Sequence, residues 1–215
     1  MSYSKEIAEN LLKRGAVKVS IDPPFTWTSG IKSPIYCDNR KMISFVDERK
    51  AVVEGFKKMI EESGVEFDVI GGTATAAIPW AAFLAYELGV PMVYIRPEKK
   101  EHGAGKQIEG DLAAGQKVLI VEDLVSTGGS SVNAALAIRE EGQCQVTDIF
   151  CIVTYGFPKA VSAFAAAGLK MHALTNFDTL AEVAVEMGSI GQEELKIVLE
   201  FARDPENWQT RKLEN

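Results

Sequence analysis

Four short apolar runs, at 67–71 (FDVIG), 91–95 (PMVYI), 117–121 (KVLIV) and 146–154 (VTDIFCIVT), constrain this chain more than any other feature. They are rich in β-branched residues and lack the strict alternation of a sheet with one wet face. That pattern suits strands covered on both sides, the environment of a parallel sheet. Helix-like stretches separate them, among them 76–88, closed by Gly89, and 130–141, closed by Gly142. Strands alternating with helices in this way build βαβ units, so the expected architecture is a doubly wound α/β domain with a mainly parallel sheet flanked by helices. Further helices are predicted over 3–14, where Ile7, Leu11 and Leu12 share a face, and over 47–63, with Asp47 as N-cap. A helix at 158–167, a strand near 170–174 and helices at 179–187 and 192–202 complete the chain.

No repeat, low-complexity tract or linker divides the 215 residues, a length that closes one hydrophobic core, so a single domain over 1–215 is expected. The net charge of −7 repels nucleic acid, and a phosphate-bearing partner must then be caught by a local cluster of donors. That points to a small anionic ligand. Cys37, Cys144 and Cys151 are odd in number and form no C-x-x-C pair, which argues for reduced thiols rather than a disulfide framework or a zinc site. The first fifteen residues are charged and periodic, and no apolar run approaches the roughly 18 residues that span a membrane. No membrane partner and a cytoplasmic location are expected.

In doubly wound sheets ligands bind at the carboxyl ends of the strands, here the loops after Ile70, Ile95 and Val121. The segment 118–131 (VLIVEDLVSTGGSS) reads as a buried strand ending in Glu122 and Asp123, followed by a hydroxyl- and glycine-rich turn that opens a helix near Ser130. Backbone amides of Thr127, Gly128, Gly129 and Ser130 can converge on a phosphate at the positive end of that helix. The carboxylates repel phosphate, but they suit sugar hydroxyls or a hydrated magnesium ion. Neither a G-x-x-x-x-G-K-[ST] loop nor a G-x-G-x-x-G fingerprint is present.

Two further segments face the same end. Residues 96–111 (RPEKKEHGAGKQIEGD) carry Arg96, Lys99, Lys100, His102 and Lys106, cationic donors suited to a pyrophosphate on a flexible lid, although Glu98, Glu101 and Glu109 dilute the charge. A solvated surface loop is the alternative. Residues 22–40 hold three prolines and scattered aromatics, loop chemistry that builds a ligand-facing hood, taken as about 1–45, or a surface connection packed down by its aromatics.

The strand, acidic pair and Thr-Gly turn resemble the 5-phosphoribosyl-1-pyrophosphate (PRPP) motif of type I phosphoribosyltransferases. The resemblance implies ribose hydroxyls on Glu122 and Asp123 and the 5′-phosphate on Thr127, Gly128, Gly129 and Ser130, with Leu124, Val125 and Ser126 completing the PRPP-binding segment. Arg96, Lys100, His102 and Gly103 match the R-x-x-x-K-x-H-G loop of the orotate phosphoribosyltransferases. That match implies a homodimer in which Arg96, Lys100 and His102 complete the other subunit's PRPP site, with Lys100 and His102 catalytic at the leaving pyrophosphate. Ser29, Gly30, Lys32, Ser33 and Pro34 resemble the family's Ser-Gly-x-Lys-Ser-Pro signature, which with Ser126 makes Lys32 and Tyr36 orotate contacts, and 71–79 (GGTATAAIP) resembles its pyrophosphate-facing turn.

The implied reaction moves the phosphoribosyl group from PRPP to N1 of orotate, giving orotidine 5′-monophosphate and pyrophosphate in UMP biosynthesis. Mg2+ would be held mainly through PRPP and water. A purine phosphoribosyltransferase shares the PRPP motif, and a PRPP-sensing regulator would keep the fold without the chemistry. Thr28, Ala76 and Pro97 stand where many members carry basic residues, and YGFPK at 155–159 lacks the arginine that holds the orotate carboxylate in some.

Overall fold

The computed structural model describes residues 3–27, 30–98 and 106–208. Helix α1 (Tyr3–Lys13) buries Ile7, Ala8 and Leu11 and leads into four short strands, β1 (Val17–Val19), β2 (Phe25–Thr26), β3 (Lys32–Ser33) and β4 (Ile35–Cys37). β1 pairs with β4 and β2 with β3, both antiparallel. A 3-10 turn over Asn39–Ser44 follows. The segment 22–40 is therefore not uniform loop, because backbone pairing satisfies its amides and carbonyls while the prolines sit between the pairs.

Helix α2 (Val46–Ser63) stops at Gly64, whose φ of 63° is a left-handed cap. The Rossmann-like alternation then runs β5 (Val69–Thr73), α3 (Ile78–Leu88), β6 (Met92–Ile95), β7 (Ile108–Glu109), β8 (Val118–Val125), α4 (Gly129–Glu140), β9 (Asp148–Thr154), α5 (Pro158–Ala166) and β10 (Lys170–Asn176). α6 (Phe177–Glu186) and α7 (Gln192–Arg203) close the described chain. The main sheet has the order β10-β9-β8-β5-β6-β7, parallel except for the β6–β7 pair.

Both faces are covered, which is why the strands read as continuous apolar runs. Leu119 and Val121 pack toward α1, α2, α3, α6 and α7, whereas Val118 and Ile120 pack toward α4 and α5. From β5 the chain proceeds to β6 on one side, and from β8 to β9 and β10 on the other. α3 and α4 therefore lie on opposite faces, and a crevice opens between the carboxyl ends of β5 and β8. Gly72 lets α3 come close there, since a Cβ on it would sit 2.8 Å from the Ala81 Cβ.

Several local expectations change. α2 begins at Val46 and its cap residue is Phe45, so Asp47 serves as a first-turn charge favoured by the helix dipole rather than as the N-cap. α4 ends at Glu140, its cap residue Glu141 is right-handed, and the positive φ falls on Gln143 at 52°. Gly142 is required by space: an added Cβ would lie 2.7 Å from the Ile138 carbonyl. β8 continues to Val125, which places Glu122 and Asp123 within the strand and on its two sides instead of at its end. The span 96–111 is only partly loop, because β7 pairs with β6 and the Arg96 amide donates to the Gln107 carbonyl at 3.0 Å.

Candidate active site

The loops at the switch point meet around the end of β8. After Val125 the chain bends through Ser126, Thr127 and Gly128 into α4, whose cap residue is Gly128 at φ 81°. The first amides of a helix have no partner within it, so those of Gly129 and Ser130 are offered to an anion at the positive end of the dipole. Facing this turn is the one after β5, tied to the sheet by the Ala74 amide donating to the Ile95 carbonyl at 2.8 Å.

The two carboxylates differ. Glu122 is 5% exposed and turns toward α4: its carboxylate accepts from the Ser131 hydroxyl at 3.2 Å, and from the Asp123 amide at 3.1 Å. The Thr73 hydroxyl donates to the Val121 carbonyl at 3.4 Å. Burial, more than the neighbouring Asp123 charge, pushes the Glu122 carboxyl up to about 8. Asp123 is half-buried on the hood side, and its carboxyl is likewise raised, chiefly by burial. Its backbone carbonyl accepts from the side-chain amide of Asn39 at 2.7 Å, which fixes the strand end to the hood.

Because the folded chain holds the Glu122 proton more tightly than the unfolded chain, this group's stability contribution is fully present below the ordinary carboxylate value. It is lost as pH rises toward about 8. Glu122→Gln, which removes the ionisation but keeps the shape, should accordingly raise the melting temperature at pH 8 by about 5 °C and leave it nearly unchanged at pH 4. Thermal unfolding across that range checks this, and an equal effect at both ends would refute it.

Beside the turn at 126–128 lies a cleft of about 690 Å³ between hood and sheet. Trp27, Tyr36 and Cys37 form its hood wall, Leu124, Ser126 and Thr127 its floor, and Tyr155 and Lys159 its far wall. Trp27 stacks on Tyr155 with centroids 5.5 Å apart and planes at 17°, meets Phe201 edge-on, and donates its indole N–H to the Ile35 carbonyl at 3.1 Å. The Trp27–Tyr155 stack ties hood to sheet and gives the cleft an aromatic edge beside Ser126 and Thr127.

The matching family model is the phosphoribosyl transferase domain, over residues 46–159. An orotate phosphoribosyltransferase of Coxiella burnetii is 47% identical over 209 residues, 97% of this chain and 100% of that protein. This chain belongs to the orotate phosphoribosyltransferase family. Among solved structures, the orotate phosphoribosyltransferase of Aeropyrum pernix superposes with a TM-score of 0.74 at 29% identity over 86% of this chain and 99% of that one. The Leishmania donovani UMP synthase gives 0.78 at 28% identity, and the match covers 94% of this chain but only 42% of that longer protein. The doubly wound fold is that of the type I phosphoribosyltransferases.

Asp123, Leu124, Ser126, Thr127, Gly128, Gly129 and Ser130 gather at the crevice, and Ser126 and Tyr36 face one cleft. Val125 turns into the core under α4 and α5 and contributes only its backbone, whose carbonyl accepts from the Tyr155 amide at 3.0 Å. Lys32 does not line the cleft but donates its ammonium to the hydroxyl of Thr26, which does, at 2.7 Å. Arg96 pairs with Glu109 across the β6–β7 hairpin at 3.6 Å. Thr28, Ser29, Lys99, Lys100, His102 and Gly103 lie outside the described residues. Sequence reasoning missed Asn39, Ser131, Trp27, Tyr155 and Lys159 as site residues. All five lie within the segments 22–40, 118–131 and 155–159, but no spacing within those segments marks which of their side chains meet across the fold.

Proposed function

We propose that this chain catalyses transfer of the phosphoribosyl group from PRPP to N1 of orotate, releasing pyrophosphate and supplying UMP biosynthesis. The observation that carries the reading is the junction of the phosphate turn with the aromatic cleft: Ser126 and Thr127 belong to both. A nucleophilic ring nitrogen and the anomeric carbon would meet at that junction, which supplies the proximity term of catalysis.

Thr127, Gly128, Gly129 and Ser130 hold the 5′-phosphate, and Asp123 accepts from the ribose hydroxyls, with buried Glu122 keeping the strand end in register. The ribose ring gains positive charge as the bond to pyrophosphate loosens, so preorganised electrostatics dominate. The lone half-open carboxylate of Asp123 fits a hydrated Mg2+, which keeps several waters and takes one or two protein oxygens; when bound, that ion neutralises pyrophosphate charge. Lys100 and His102, on the lid, are assigned to the leaving pyrophosphate. Arg96 joins them in completing the site of the other chain in a homodimer, and lid closure excludes water that would hydrolyse PRPP. The single-domain reading, with hood and lid as parts of one unit, and a cytoplasmic location accompany this proposal.

Lys100→Ala should lower kcat by about tenfold or more while the KM for PRPP stays within about twofold, because a leaving-group contact strengthens in the transition state. Steady-state kinetics decide it, and an unchanged kcat removes the assignment. The reaction itself is tested by mixing the purified protein with PRPP, Mg2+ and orotate and following loss of orotate absorbance. Adenine, guanine, hypoxanthine and xanthine are run in parallel by chromatography. Turnover of a purine alone would keep the PRPP loop and overturn the base assignment.

A further inference from the structure

The walls of the aromatic cleft carry a single cation among the described residues, Lys159, and a carboxylate of the same chain already faces it. Lys159 stands in the first turn of the nine-residue α5, just after Pro158. A lysine there sits at the positive end of the helix dipole, a placement that disfavours the ammonium alone and favours an anion beside it. The partner is Glu206, in the turn following α7, with its carboxylate 3.3 Å from the Lys159 ammonium.

That turn is pinned by Trp208, whose ring meets Phe201 edge-on at 5.5 Å and whose indole N–H donates to the Ile197 carbonyl at 3.2 Å. The ion pair itself is long and wet, with the two side chains 69% and 65% exposed. Exposed pairs of this kind contribute little and exchange readily. Glu206 also lines the cleft, so the pair stands at the edge of the same enclosure as Ser126 and Thr127. A base that offers its N1 to the ribose therefore shares that enclosure with the Lys159 ammonium. Its ring carboxylate needs a cation, and 155–159 contains no arginine.

We propose that Lys159 is the seat of the orotate carboxylate, and that Glu206 occupies it as an internal carboxylate until the base enters. This rests on the orotate reading above. Substrate entry exchanges one carboxylate for another, so the lysine is never left without a partner.

Calorimetric titration of the full chain with orotidine 5′-monophosphate and with uridine 5′-monophosphate, which lacks only the carboxylate, isolates the contact. Wild type should bind the first more tightly. Lys159→Ala should shrink that preference by about tenfold, with uridine 5′-monophosphate binding serving as the control for an intact site. Lys159→Arg should restore most of the preference. Glu206→Gln should tighten orotidine 5′-monophosphate about two- to threefold by removing the competitor, and no gain would overturn the role of Glu206. A preference that survives Lys159→Ala overturns the seat while leaving the base assignment standing. Equal affinities in wild type also overturn it, and the orotate turnover assay then shows whether the base assignment falls with it.

Discussion

Gly128→Val should lower the melting temperature by about 5–10 °C and weaken PRPP at least about tenfold. Two independent penalties add. At φ 81° a β-branched residue is strained in a way glycine is not, worth about 1–2 kcal/mol. A Cβ at this position would also lie 2.9 Å from Phe164 Cε2 and 3.4 Å from the Ala160 Cα, both parts of α5 packed beneath the turn. Overpacking of this sort costs about 1–3 kcal/mol. For a chain of this size the sum moves the melting temperature by the amount stated. Relief of the clash must displace the turn that aims the amides of Thr127, Gly129 and Ser130, so the anion site is lost with the stability. Gly129→Ala is the control, since its φ is not positive and nothing lies within 4 Å of an added Cβ. Differential scanning calorimetry and PRPP titration of both variants settle the matter; a Gly128→Val protein that melts with wild type would show that the turn is not held against α5.

Asp123→Asn should reduce kcat/KM for PRPP by about 100-fold with little change in stability. The amide keeps the shape of the carboxylate but replaces one acceptor oxygen with a donor. A charged hydrogen bond to a hydroxyl contributes about 1.5–3 kcal/mol, and more when it strengthens as positive charge grows on the ribose. Folding should tolerate the change, because the fold-critical contact of this residue is its carbonyl, which accepts from Asn39 at 2.7 Å. Removing a half-buried charge whose carboxyl is raised by burial gives, if anything, a small gain. Initial-rate kinetics with PRPP varied at saturating orotate measure the effect. Values within about threefold of wild type would assign the ribose hydroxyls elsewhere.

Set beside Glu122→Gln, this substitution separates the two members of one dipeptide. Their neighbours differ because β8 runs four residues past Val121, so consecutive side chains take opposite faces. One carboxyl falls under α4 against Ser131, and the other falls on the hood side.

What the chain's local order determined by itself was extensive. The apolar runs defined the strands, because a strand buried on both faces must be apolar at successive positions. The glycine- and hydroxyl-rich turn marked the loop proposed for phosphate, and a left-handed cap and a close approach to α5 admit only glycine at 128. Both are contiguous in sequence, so composition and spacing report them directly. Tertiary structure decided which of Glu122 and Asp123 meets the crevice, since that depends on where β8 ends and which helix covers each face. It also decided that Trp27 of the hood stacks on Tyr155 of the sheet, and that Lys159 meets Glu206 across 47 residues. Such pairs have no periodicity to read: they arise where separate elements are brought together by burial of the common aromatic cluster around Phe201.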